Sequence, residues 1–175
     1  MHSARNPVTI EKRREVESMK TVEESKYARE AGRLFMEGYN CAQSVFLAFC
    51  EYYDMDFETA ARISSSFGGG MGRLREVCGS VSGMFMAAGY IYGYASPKDY
   101  EAKKEHYARI QELAEEFRKR NGSIVCRELL GLTKKKDNPA PSRRTEEYYK
   151  KRPCRQLIEM SAGIFHEYLE KNPPK

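Results

Sequence analysis

Tryptophan is absent from this chain of 175 residues, and histidine occurs only as His2, His106 and His166. With so few imidazoles no Ser-His-Asp order can be assembled, and no Glu-x-x-His pair is present to build a di-iron carboxylate bundle. No C-x-x-C occurs among the five cysteines, which excludes a zinc-finger knuckle and a thioredoxin-type centre by local motif. No hairpin dipeptide separates two alternating runs, so strands have little support. A long apolar run is missing too. The longest uncharged stretch, Val77 to Pro97, is diluted by Gly79, Ser80, Ser82, Gly83, Gly89, Gly93 and three tyrosines. That composition is too mild for a membrane span, and a charge-free helix of this length reads instead as buried on all sides. The opening "MHSARNPVTIEKRREVE" has no apolar core segment. No secretory signal is expected there, and the expected location is the cytoplasm, with no membrane partner.

What is present is helical. The length suits one domain, and the apolar residues recur at helical spacing nearly throughout. A charged stretch from about Val8 to Glu37 reads as an arm over residues 1–20 followed by a first helix. Asn40 with Gln43 three residues on is a capping-box pattern that opens "CAQSVFLAFCEYY". "DFETAARISSSF" is a further helix ending at Gly68. Val77 to Tyr94 forms a helix of small residues broken at Ser96-Pro97, and "KDYEAKKEHYARIQELAEEFRKR" a long solvated one. Ser123 is placed to cap "IVCRELLG". Thr133 to Pro141 reads as a loop, and Pro153 opens the final helix "CRQLIEMSAGIFHEYLE". The expected fold is all-α: a compact single-domain helical bundle over residues 21–171 around a buried central small-residue helix.

The stretch from Ser65 to Tyr94 holds eight glycines. A dinucleotide loop would need a third glycine at position 75, which is Arg75, and a Gly-Lys-Ser/Thr is lacking. Gly68, Gly69, Gly70 and Gly72 can form either a nest of N–H groups for an anion or a plain loop needing positive φ. Gly79, Gly83 and Ala87 share one helix face, and Gly89 and Gly93 another, so neighbouring backbones are expected to approach closely there. Such a helix can also pack against its own copy, which suggests a homodimer.

Cys41, Cys78, Cys126 and Cys154 all fall at expected helix starts, where free N–H groups and the dipole favour an anion and lower a thiol's pKa. Arg127, Arg152 and Arg155 are near enough in sequence to add to the effect. Cys50, nine residues after Cys41, faces the other side and reads as a buried small hydrophobe. The competing reading makes all five plain core residues.

Charge is uneven. Nine basic residues lie between Lys134 and Arg155 against Asp137, Glu146 and Glu147, which concentrates in one segment the whole excess behind a net +5. A solvated loop is the ordinary explanation, and no recognised module accompanies it to support nucleic acid.

"GYNCAQSV", "FGGGMG" followed by "CGSVSG", "CRELLG" and "RPCRQLI", in that order, resemble the C-GCAxxG-C-C family of redox-active proteins. The resemblance runs from about Gly38 into the final helix. It implies a small helical protein whose characteristic cysteines are Cys41, Cys78, Cys126 and Cys154, with Cys50 outside the pattern. The family's Cys-Gly-Ala-x-x-Gly stands here as Cys78-Gly79-Ser80-Val81-Ser82-Gly83, with a hydroxyl added beside the thiol. The family names no substrate and no redox partner. Two mechanisms remain open: exchange with a disulfide through a low-pKa thiolate, or an iron–sulfur cluster or zinc held by the four thiolates. The count of four favours the second. The rival from another class is a non-enzymatic helical interaction module that binds through its basic segment.

Overall fold

The structure, a computed structural model, describes residues 25–133 and 137–174. The arm expected over residues 1–20 lies outside the described residues, as do Lys134, Lys135 and Lys136. The fold is all-α. Helix α1 (Lys26–Met36) is capped by Ser25, whose hydroxyl accepts from the Ala28 N–H. Helix α2 (Cys41–Ala48) begins at Asn40, and the capping box with Gln43 is complete. A 3₁₀ turn, Cys50–Tyr52, follows it. Helix α3 (Phe57–Ser64) is capped by Asp56 and runs into a second 3₁₀ turn, Ser65–Phe67. Helix α4 (Gly79–Tyr92) has Cys78 at its N-cap, and α5 (Tyr100–Asn121) has Asp99. The chain closes with α6 (Cys126–Leu129), α7 (Glu146–Lys151) and α8 (Cys154–Lys171). Among the described residues no helix is long and apolar enough to cross a membrane.

Helices α1, α2, α4 and α8 pack on one another around Leu34, Phe35, Val45, Phe49, Val81, Met84, Ile158 and Phe165, all almost fully buried. The long α5 lies on the outside and commits only Leu113 and Phe117 to the core. Its remaining face is charged and carries i,i+3 and i,i+4 pairs such as Arg118 with Glu115.

Gly79 and Gly83 of α4 meet α2 backbone to backbone. A Cβ on Gly83 would sit 2.5 Å from the Ala42 carbonyl oxygen, and one on Gly79 3.0 Å from the Cys41 Cβ. The expected close approach is therefore made inside the chain, which removes the small-residue face as a reason for a homodimer. The second expected face is not used: Gly89 has nothing within 4 Å of such a Cβ. The first half of α4 is buried on all sides, whereas Tyr90 is exposed and Ile91 and Tyr92 are half-buried. The helix emerges as it ends.

Two local readings need correction. Ser123 does not cap α6. Its hydroxyl accepts from the Val125 N–H and donates to Glu128, while the N-cap position is Val125. His106 and His166 stand on charged helices, which suggests the surface, yet both are half-buried, and His166 lies edge-on to Tyr27 at 4.8 Å between ring centres.

Candidate functional site: four cysteines around an arginine-lined cavity

Cys41, Cys126 and Cys154 are each the first residue of a helix, and Cys78 is an N-cap. Local sequence decides that much. Which helix starts meet is decided by three long-range contacts.

The first is the glycine contact of α4 with α2, which sets Cys41 against the start of α4. The second is a single antiparallel bridge, Val77 with Val125. The Cys78 N–H donates to the Ile124 carbonyl at 2.8 Å and the Cys126 N–H to the Glu76 carbonyl at 2.6 Å, so these cysteines are held side by side. The third is the packing of α8 along α1 and α2, which brings in Cys154. All four cysteines line one cavity of about 210 Å³. Cys50 does not line it. It starts the 3₁₀ turn beyond α2 and is half-buried at the edge of the core, so helix phase and structure agree in leaving it out.

Between α3 and α4 the chain makes a left-handed turn. Positive φ runs through Gly69, Gly70, Met71, Gly72 and Arg73, at 60° to 70°, and returns at Arg75 with 63°. Each non-glycine residue in this region costs about 1–2 kcal/mol, so Met71, Arg73 and Arg75 must be held by what they touch. Arg75 is 2 % exposed. It donates to Asp137 at 2.6 Å and reaches the Cys126 sulfur at 3.7 Å. Arg73 binds the same carboxylate at 2.7 Å. The turn is also too tight for a side chain at Gly70, where a Cβ would lie 2.6 Å from the Cys126 Cβ.

Of the two readings of the glycines, Gly69, Gly70 and Gly72 take the positive φ of the loop reading. Gly68 and Gly69 line the cavity, and the Gly69 N–H donates to the Cys41 sulfur. The Gly72 N–H is taken by the Gly68 carbonyl, and Gly70 is buried against Cys126.

Sequence position at a helix start suggests lowered thiol pKa values for all four cysteines, and the structure corrects this for three. Burial pushes Cys78 up to about 12, against the opposing contact with the Ser80 hydroxyl 3.2 Å from its sulfur. Burial also raises Cys126, although Arg75 works against it. Cys41 and Cys154 act on each other. Their interaction is the largest cause at both, raising Cys41 and holding Cys154 below the ordinary thiol range, while burial opposes the charged form of each. Arg152 adds to the depression at Cys154, as does the start of an 18-residue helix.

The sequence reading missed Arg75 and Arg144 and named two arginines that turn elsewhere. Arg127 pairs with Glu76 and Arg155 with Glu159. Arg144 donates to the carbonyls of Phe35 and Tyr39 and lies 4.4 Å from the Phe35 ring centre. Arg152 covers the Tyr148 ring at 4.9 Å. The described part of the basic segment is thus partly drawn into the cavity instead of forming one solvated patch.

A metal centre requires three or more ligands about one point. Among the described residues no group of three or more His, Cys, Asp or Glu side chains is placed to hold a metal ion. The present arrangement fits a dithiol better than a metal centre.

These pKa directions fix a stability profile. Cys41, Cys50, Cys78 and Cys126 hold their protons in the folded chain, while unfolded thiols release them near pH 8.5. Above that pH the folded state binds more protons, and stability falls as pH rises, by up to about 1.4 kcal/mol per pH unit from Cys78 alone. Cys154 has the opposite sign: its contribution is complete above about pH 8.5 and is lost as pH falls through its own depressed value. Urea unfolding midpoints at pH 7.5 and 9.5 check this. A fall at 9.5 that Cys78→Ala lessens is expected, and identical slopes for both proteins would contradict it.

A family model described as "Putative redox-active protein (C_GCAxxG_C_C)" matches residues 39–168. No curated protein and no solved structure matches the chain.

Proposed function

Because the chain belongs to the C_GCAxxG_C_C family, whose description is redox-active, we propose that it performs thiol–disulfide exchange with Cys154 as nucleophile and Cys41 as resolving thiol. The observation that carries this reading is that the two thiols stand at the first residues of separate helices on the wall of one cavity, where each acts on the other and Cys154 is lowered. The Cys154 thiolate attacks one sulfur of a disulfide RS–SR. A bond forms between Cys154 and that sulfur, the S–S bond of the substrate breaks, and RS⁻ leaves and takes up a proton.

The same geometry then prepares the second step. Both influences of Cys154 on Cys41 raise its pKa, and they vanish once Cys154 is tied in the mixed disulfide. Arg144 and the Gly69 N–H, which favour the Cys41 thiolate, remain against its burial. Cys41 releases its proton and attacks the Cys154 sulfur, which expels the second RS⁻. Two electrons have passed from the pair to the substrate, and the proton from Cys41 with one from water converts the two RS⁻ into thiols. A small dithiol reductant reverses the sequence.

A second reading, a four-thiolate cluster or zinc site, is favoured by one fact: all four cysteines line the same cavity. One preparation distinguishes the readings. Protein purified without oxygen and treated with one equivalent of a disulfide is expected to yield a Cys41–Cys154 bridge by peptide mass spectrometry, with no stoichiometric iron or zinc. A coloured, iron-containing protein overturns exchange in favour of the cluster. Five slow thiols and no bridge leave the helical binding module, with its core cysteines and basic segment, as the function.

A further inference from the structure

Among the described residues the cavity walls carry four guanidinium groups, Arg73, Arg75, Arg144 and Arg152, and no carboxylate. Asp137 answers the first two from outside. Arg144 and Arg152 meet carbonyls and aromatic faces, and neither meets a carboxylate among the described residues. Positive charge is therefore in excess around a partly enclosed space, where field lines concentrate and screening is weak.

Arg75 adds a second, independent observation. Its side chain is 2 % exposed, and its Nε is enclosed with no hydrogen-bond partner. Leaving a charged donor buried and unpaired is costly, so a site with an unused guanidinium donor is built for an acceptor that arrives from outside. Guanidinium groups match carboxylates through paired N–H···O bonds. A space of about 210 Å³ suits a small molecule and not a folded partner's loop.

We propose that this cavity selects small anionic disulfides, whose carboxylates bind the arginines while the S–S bond lies against Cys154. The proposal rests on the exchange reading, and it adds to that reading the chemical class of the substrate. In the exchange step the anionic groups neither gain nor lose atoms. They hold the substrate, and the two thiols released carry the carboxylates away.

Three disulfides of similar size test it: dithiodiglycolate (two negative charges), bis(2-hydroxyethyl) disulfide (neutral) and cystamine (two positive charges). The reduced protein is expected to react with the anionic probe at least about tenfold faster than with the neutral one, and most slowly with cystamine. The spread should shrink in high salt. Arg144→Gln and Arg152→Gln should each lower the ratio of anionic to neutral rates. If either variant fails to fold, the wild-type series decides alone. As a separate measurement, sulfate binding to Cys154→Ser is followed by calorimetry, since this variant keeps every arginine. Equal rates for the three probes overturn the anionic preference and leave exchange standing. No reaction with any probe, while sulfate still binds, overturns exchange and supports the anion site. No reaction and no sulfate binding overturns both.

Discussion

Cys154→Ser is expected to slow exchange with a small disulfide by at least about tenfold at pH 7. An ordinary thiol with pKa near 8.5 is only about 3 % ionised there; of the four cysteines that remain, burial keeps Cys50, Cys78 and Cys126 raised, and Cys41, freed of the influence of Cys154, is still opposed by its own burial. Cys78, near 12, would be ionised to the order of 10⁻⁵. The gain in thiolate at Cys154 is partly offset because a less basic thiolate is a weaker nucleophile. For that reason the expected loss is kept well below the ratio of ionised fractions. Cys50→Ser should have no comparable effect, since Cys50 does not line the cavity.

The pH profile of alkylation separates this from simple loss of a thiol. Iodoacetamide should label Cys154 with a midpoint below that of a free thiol. Cys41→Ala removes the interaction that is the largest cause of the depression, so the midpoint should move up. An unchanged or lower midpoint in Cys41→Ala would show that the two sulfurs do not communicate, and the nucleophile would have to be sought elsewhere.

Gly83→Ala is expected to lower stability by about 1–2 kcal/mol. The added Cβ meets the Ala42 carbonyl at 2.5 Å and the Val45 Cβ at 3.0 Å. A main-chain oxygen of α2 can move only with its helix, and overpacking of this kind costs about 1–3 kcal/mol. Alanine's better helix propensity returns up to about 1 kcal/mol. For a chain of this size the melting temperature should fall by about 2–8 °C. Gly89→Ala is the control. It gains the same propensity with nothing in the way and should be neutral or stabilising. Because α2 carries Cys41 at its first residue, Gly83→Ala should also slow formation of the Cys41–Cys154 bridge. Equal stability for the two variants would remove close helix contact as the reason for glycine at position 83.

Helix identities and most boundaries are legible in the sequence because they depend on residues a few positions apart. Asn40 with Gln43, Asp99, and Gly122 after Asn121 act through hydrogen bonds within one turn. Ser123 misled because Val125 takes the N-cap position, a choice fixed by the bridge to Val77 and not by local preference. Helix α7, which the sequence reading did not name, carries a comparable mark: Thr145 accepts from the Tyr148 N–H, and Glu146 and Glu147 stand in the first turn. The positive φ at Met71, Arg73 and Arg75 could not be foreseen, since those residues oppose that conformation by themselves.

By itself the sequence determined the all-α fold, the placement of four cysteines at helix starts and the separation of Cys50 from them, since spacing, caps and phase are short-range properties. Only the tertiary structure decided which sulfurs share one cavity, which thiol is lowered in pKa and which are raised, and which arginines line the cavity. Desolvation and Coulomb forces depend on atoms brought from distant parts of the chain: Arg75 reaches Cys126 and Asp137, and Cys41 reaches Cys154. Helix ends supply the positive dipole in the same way to each cysteine. Burial then overrules it at Cys78 and Cys126, while the interaction between Cys41 and Cys154 raises the first and lowers the second.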